Sequence, residues 1–441
     1  MNGQTISSYR LQERYKLYTK YRKEDPMKKT IALILALVMV FALAGTSAFA
    51  APVEVTIFNS KMEIQSQLEE LAGQWNSSHD DVSITVYYSS DTVAAHMASR
   101  YAAKNPYVIS MVDAKDIYSL GPEHALDMSD QDWVKDTTQA ITVDGKVLGF
   151  PVCVEARGIL YNADAIEAAT GEAFDPTAVK TTEDFQALID ALIAGGMETP
   201  CGLQKEDWSL AAHFFASVYE MQDDPDAFIA GIKDGSVKLA DDPVFNALMD
   251  TFDVMKANNW MKDAPLSAVR EDTEMMLAIG EIAFKYGGNW DWSDIKEFDP
   301  DENLGMMPVP SVLEGSNEKL VGGGSKYFFI DNSVSAEQQE AAKQFLNWLV
   351  YDEEGQDFLV NTCALVPAFS NITLPVSDPL GASVKSYADT GAMVGNYNYL
   401  PDDHYAKIGI SFQKYLGDQI DRAGFADEVT AYWATAEVGA H

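Results

Sequence analysis

Gly287 and Gly288 stand just before Trp290, Asp291 and Trp292, at the end of the apolar run that closes on Tyr286. A flat indole can stack on the apolar C–H face of a ring, and a carboxylate beside it can accept hydrogen bonds from hydroxyls. In an extended segment residues two apart share a face, so both tryptophans are expected on one wall, set there by a glycine turn. That is binding chemistry, suited to a polyhydroxylated ring. The competing reading is that one or both indoles fill a core, the commoner fate of large aromatics. Glu155 and Arg157, also two apart, can pair with each other or with a ligand. Tyr397 and Tyr399 alternate along the polar stretch "GNYNYLPDD" and can cover a cleft or only its rim. Gly323, central in "VGGGSK", lets backbone come close to either a ligand or a neighbouring strand.

Catalytic signatures are thin by comparison. The six histidines form no HExxH pattern and no GxSxG occurs, while one isolated SxxK, Ser316 to Lys319, lies in a polar stretch. "DPDENLG" from Asp299 begins like a calcium loop, but Leu304 replaces the turn glycine and Pro310 occupies the twelfth position, so an acidic turn is expected. Cys153, Cys201 and Cys363 are odd in number and far apart, which suggests neither a disulfide framework nor a zinc site. No catalytic residue, metal or cofactor is expected.

These residues need elements to position them. "VEVTIF" alternates as a strand, "NSKMEIQSQLEELAGQWN" follows with helical spacing, and "VSITVYY" reads as a second strand. The opening is therefore a βαβ unit, with Ser60 and Glu63 placed to form a capping box on its helix. A further strand is expected to end at Asp113. Amphipathic helices are expected from Thr182, closed by glycine, and from Ser335, where Ser335 and Gln338 form a second capping box.

Residues 1 to 50 differ in kind. Lys28 and Lys29 lead into the apolar run "IALILALVMVFALA" and then to Ala48-Phe49-Ala50, the pattern of a secretory signal peptide over residues 27 to 50, cleaved after Ala50. Residues 1 to 26 read as a mis-assigned start before Met27. Thr46 stands where a lipoprotein's acylated cysteine would be, so no lipid anchor is expected. Without that leader the chain keeps 23 basic and 64 acidic residues, a net charge of −41. Such a surface repels nucleic acid and anionic lipid, and it suits a soluble exported protein.

Three stretches resemble the bacterial extracellular solute-binding proteins of the maltose-binding and multiple-sugar-binding type, receptors of ABC importers. They are "DGKVLGFPVCVEARGILYNADAIEAATG", "GEIAFKYGGNWDWSDI", and "VGGGSKYFFIDNSVSAEQQEAAKQFLNWLVYDEEGQDFLVNTCALVPAF", in that order. Departures are "NPYVISMVD" where the family usually has Pro-Asp, and the missing anchor cysteine.

The resemblance implies an α/β fold of class II periplasmic-binding-protein type, two lobes of parallel-rich sheet flanked by helices around a hinge. It places lobe 1 at 51–153 plus 311–366 and lobe 2 at 154–310 plus 367–441, with crossovers near Val152, Pro308 and Leu365. It implies a monomeric receptor that closes on a sugar and delivers it to permease subunits. The ligand contacts it implies are Ser60, Glu63, Asp113, Glu155, Arg157, Trp208, Trp290, Asp291, Trp292, Gly323 and Tyr397. For Ser60 and Glu63 capping competes with that role, for Asp113 turn chemistry, and for Trp208 a place in a helix core. Two other readings stay open: the same fold holding a polyamine, which an acidic aromatic cleft also suits, and a secreted glycoside hydrolase using two of the many carboxylates.

Overall fold

The computed structural model describes residues 51–89, 91–300, 303–315 and 317–439. The expected signal peptide, Thr46, Ser316 and Asp301 and Glu302 of the expected acidic turn lie outside them. Residues 53–439, as far as they are described, form one compact unit. Among the described residues no helix is long and apolar enough to cross a membrane.

The opening βαβ unit is present. Strand β1 (Val53–Asn59) buries Val55, Ile57 and Phe58 and runs parallel to β2 (Val82–Tyr88), with the helix Gln65–Ser78 between them. Strand β3 (Ile109–Asp113) adds on the other side of β1, also parallel, and ends at Asp113 as expected. The helices Thr182–Ala194 and Ala336–Tyr351 form where their spacing places them. Ser335 and Gln338 cap each other's turn, and Phe345, Leu346 and Leu349 are buried. The capping box expected at Ser60 and Glu63 is absent. Asn59 holds that turn instead: its side chain bonds the carbonyl of Lys61 at 2.7 Å and accepts from the Lys61 amide at 2.9 Å, so the chain enters a short 3-10 turn (Met62–Ile64) before the helix.

The remaining strands are β4 (Ile141–Val143), β5 (Lys146–Asn162), β6 (Cys201–Gly202), β7 (Phe284–Gly288), β8 (Leu304–Met307), β9 (Leu320–Ile330) and β10 (Met393–Val394). They join one mixed sheet in the order β2-β1-β3-β9-β5-β7-β6, with β10 beside β9 and β4 and β8 beside β5. Parallel pairs lie toward the ends of this order and the long central strands run antiparallel. β5 joins the two halves: Phe150 to Arg157 pair with β9, and Arg157 to Asn162 pair with β7 and β8.

Two large cores lie along this sheet. One gathers Val55, Ile57, Leu68, Phe150, Phe328, Phe345 and Leu349; the other gathers Phe185, Phe214, Phe245, Phe252, Phe412 and Trp433. A smaller cluster with Met97, Tyr107, Ile117 and Phe329 backs the first. The change of core does not fall at 366/367. Ala368, Phe369, Ile372, Leu380 and Val384 still pack in the first core, as do Leu277, Ile295 and Met306, because β10 and β8 return to the central strands.

Gly322 sits opposite Ala156 across the β5–β9 pair, where a methyl group would meet the Glu155 carbonyl at 2.2 Å. The glycine at 322 therefore serves a neighbouring strand. Gly322→Ala is expected to destabilise the protein by about 1–3 kcal/mol through overpacking against backbone, read as a lowered urea midpoint; a shift equivalent to under about 0.5 kcal/mol would refute the close approach.

His404 is 1% exposed in the second core, with Nε2 3.1 Å from the Tyr219 hydroxyl. Burial pushes its imidazole down to about 3. The unfolded chain therefore takes up a proton between about pH 6.5 and 3 that the folded chain refuses, so this stability is present above that window and lost as pH falls. Urea unfolding at pH 6.5, 5.5 and 4.5 should give His404→Gln a shallower loss than wild type, by up to about 1.4 kcal/mol per pH unit. Equal slopes would refute a neutral buried histidine.

Candidate functional site

The strand ends of both halves open onto one cleft of about 1130 Å³. Its floor comes from β5. Side chains alternate along a strand, so Glu155 and Arg157 face the cleft while Val154 and Ala156 pack into the first core. Lys61, from the turn after β1, lies 2.5 Å from Glu155; the pair is 5% and 12% exposed. Burial works against both charges. Even so, Lys61 holds the Glu155 carboxyl below the usual range, and Glu155 with Glu63 lifts the Lys61 ammonium above its own. Lys326 of β9 sits 2.5 Å from Asp113, which raises its ammonium in the same way against burial. Both pairs present fixed donors and acceptors to the cleft.

Arg157 is spoken for by protein. It forms a buried ion pair with Glu220, donates through Nε to the His213 carbonyl at 2.9 Å, and through Nη1 to Asn396 Oδ1 at 3.1 Å. Glu220 in turn accepts from the Tyr397 amide at 3.1 Å. The buried pair thus ties the 395–403 segment to the floor, although Arg157 also reaches the cleft surface.

The opposite wall is aromatic. Trp208, His213 and Trp290 line it, with the His213 ring centroid 5.2 Å from Trp208 and 4.6 Å from Trp290. Trp208 and His213 are five apart within Trp208–Phe215, which is wound as a π-helix; its i→i+5 repeat brings those two rings to one side, where an α-helix would splay them. Burial, followed by Arg157 and Lys285, lowers the His213 ring to about 3, so this wall is neutral.

The stretch that carries Trp290 is built differently from the expected extended segment. Gly287 and Gly288 belong to β7, opposite Gly158 and Arg157, and the chain then coils as a 3-10 turn Asn289–Asp291 followed by the short helix Trp292–Ile295. Alternation ends at Gly288, and the side chains of the turn fan out. Trp290 reaches the cleft, half-buried. Asp291 points inward, 1% exposed and 2.5 Å from the ammonium of fully buried Lys285, so it is not available to a ligand. Trp292 turns away and packs on the first core. The glycines make space: a methyl group at Gly288 would meet the Trp290 ring at 2.3 Å, and one at Gly287 would meet Asp291 Oδ2 at 2.1 Å. Asn289 fixes the turn to the floor by accepting from the Ala156 amide at 3.0 Å.

Of the other expected contacts, Ser60, Glu63, Asp113 and Tyr397 line the cleft, and Tyr397 also donates to Asp226 at 2.5 Å. Gly323 does not line it; the atoms nearest a methyl group there would be Gln139 Oε1 at 3.4 Å and Asn396 Nδ2 at 3.8 Å. Tyr399 leans on Tyr118 at 5.0 Å between ring centroids. The residues that sequence reasoning did not single out are Lys61, His213, Glu220 and Lys326. Each has a partner between 56 and 213 positions away, which a local sequence pattern does not show.

Known proteins share this architecture. The chain is 21% identical over 345 residues to the melibiose/raffinose/stachyose-binding protein MelE of Bacillus subtilis (strain 168), covering 73% of this chain and 77% of that one. The structure of the solute-binding protein RafE in complex with raffinose superposes with a TM-score of 0.72 at 19% identity, over 87% of this chain and 99% of that chain. A sugar transporter protein from Bacillus licheniformis in complex with stachyose gives 0.66 at 18% identity, over 87% and 99% respectively. These likenesses carry the two-lobed α/β fold. The family pattern of the bacterial extracellular solute-binding protein matches residues 70–390, and with the greater part of its length so matched the chain belongs to that family.

Proposed function

We propose that this protein is the receptor of an ABC importer, which captures an oligosaccharide between its two lobes by hinge closure and hands it to the permease. It works as an exported monomer whose mature chain begins at Ala51. The observation that carries this reading is the facing of two unlike surfaces across one cleft, the Trp208–His213–Trp290 wall and the charged floor of Lys61–Glu155 and Lys326–Asp113. A sugar ring needs both, a flat apolar contact for its C–H face and oriented donors and acceptors for its hydroxyls. The ligands of its relatives, raffinose and stachyose among them, are of this class.

A polyamine would need unpaired carboxylates. Asp113, Glu155 and Glu220 each already face a cation, so none of the three is free to take one. Membership of a family of binding proteins speaks for capture, and release of chromophore from chromogenic glycosides would instead mark the protein as a hydrolase.

A thermal-shift screen over melibiose, raffinose, stachyose, chitin oligosaccharides and spermidine tests the reading. A cognate sugar at about a hundred times its Kd is expected to add roughly 2.7 kcal/mol; stabilisation by spermidine and by no sugar would overturn it. Within the site, Trp290→Ala should weaken sugar binding about thirtyfold, on the order of 2 kcal/mol, as for a desolvated aromatic anchor. Its unliganded stability should fall by much less than the roughly 3–5 kcal/mol of an emptied core site. Calorimetry and denaturant unfolding on the same variant read the two quantities, and intact affinity would leave Trp290 a packing residue.

A further inference from the structure

Few large apolar side chains stay exposed on this protein, and three of them line the same cleft: Met62 at 65%, Tyr88 at 40% and Tyr405 at 38%. Met62 follows β1 and Tyr88 ends β2, both on the first-core side, whereas Tyr405 begins the helix His404–Leu416 on the second-core side. Chain direction does not explain their exposure. Tyr87, the neighbour of Tyr88 on the opposite face of the strand, finds a ring partner in Tyr107 at 5.3 Å between centroids. Among the described residues the side chains of Tyr88, Met62 and Tyr405 have no hydrogen-bond or ring partner, in contrast to half-buried Trp208 and Trp290, which share His213.

The cleft is also larger than one compact ligand requires. Pockets that enclose a drug-sized molecule run from roughly 300 to 1,000 Å³, and this one holds about 1130 Å³. Beside Tyr88 the chain supplies polar groups too, with Asp91 and Thr92 lining the cleft ahead of the helix Val93–Ala102. The cleft lining thus again includes an aromatic ring, a carboxylate and a hydroxyl, the Thr92 hydroxyl also capping that helix by accepting from the Ala95 amide at 3.4 Å.

We infer that Met62, Tyr88 and Tyr405 form an outer subsite, which takes the third and fourth rings of an oligosaccharide whose first two rings lie against Trp208 and Trp290. This rests on the oligosaccharide reading above and deepens it. The protein selects for chain length, because only a ligand longer than a disaccharide covers apolar surface that is otherwise left in water. The subsite is lined from both core sides, so a longer sugar also gains contacts that exist only when both approach it.

Calorimetry on wild type, Tyr88→Ala, Tyr88→Phe and Tyr405→Ala tests this, with melibiose, raffinose, stachyose and chitin oligosaccharides of two to four units as probes. In wild type the four-unit sugar of whichever series binds is expected to exceed the two-unit sugar in affinity by about tenfold or more. Tyr88→Ala should reduce that ratio about tenfold, equivalent to roughly 1.4 kcal/mol, Tyr405→Ala should reduce it less, and Tyr88→Phe should preserve it. A wild-type ratio near one, an unchanged ratio in Tyr88→Ala, or an equal loss at every length would each overturn the outer subsite while leaving sugar binding standing. If wild type binds none of these sugars, the oligosaccharide reading fails and the subsite with it. Both tyrosines are exposed, so the variants should fold, which their thermal midpoints will report.

Discussion

The structure depends on the pairing of β5 with its neighbours. That strand is 17 residues long and buried along most of its length, and it gives its first half to β9 and its second half to β7 and β8. A one-residue slip in its register would turn Glu155 and Arg157 into the core and Val154 and Ala156 into the cleft. Three contacts resist such a slip. The glycine at 322 admits Ala156 at close range, Val154 takes the Val366 carbonyl at 2.9 Å, and Asn289 takes the Ala156 amide. The strand that joins the two cores is therefore also the one that sets the floor of the site, and movement between the cores has to pass through residues adjoining the ligand surface.

Under Trp290 lies a second dependency. Lys285 is fully buried between Asp291 at 2.5 Å and Glu274 at 3.8 Å, and Glu274 is reached from the cleft side by Arg270 at 3.1 Å. Burial, followed by the nearby Asp291 charge, pushes the Glu274 carboxyl up, against the pull of Lys285 and Arg270. Removing one partner from such a pair leaves an uncompensated charge in the interior, costing roughly 3–5 kcal/mol, whereas the intact pair adds little net stability. Its contribution is to geometry. Asp291 is the last residue of the turn that aims Trp290, and Gly287 leaves the room in which the pair meets.

Much of the scaffold was legible in sequence because it rests on local rules. Alternation located β1 and β2, 3.6-residue spacing located the helices at Thr182 and Ala336, and the Ser335 box formed as its residues demand. The site was legible in part. Glu155 and Arg157 face one way because β5 is extended there, and Trp290 reaches the cleft. Asp291 and Trp292 do not, since the turn that begins at Asn289 replaces the twofold repeat on which their placement was argued. Ser60 and Glu63 lost their box to Asn59, whose amide can both donate to and accept from the Lys61 backbone. His213 was invisible because its position beside Trp208 needs a π-helical repeat, which no hydrophobic pattern announces. The role of Arg157 turned on Glu220, 63 positions away, and such pairings follow from the fold alone.

The contrast between surface and cleft follows from these pairings. A chain with 64 acidic residues after position 50 still builds an inner cleft in which the floor carboxylates Asp113 and Glu155 are matched to cations and the aromatic wall carries a neutral histidine. For a ligand without charge this is the useful arrangement. A free carboxylate would draw cations and hold its water strongly, so a hydroxyl would have to displace that shell to bind. A carboxylate already bonded to lysine has lost part of that shell during folding and keeps its remaining lone pairs in a fixed direction. Discrimination then comes from the penalty on mismatched ligands, because buried donors and acceptors left without partners cost more than good partners gain. Folding has thus already paired the floor carboxylates Asp113 and Glu155 before any ligand arrives.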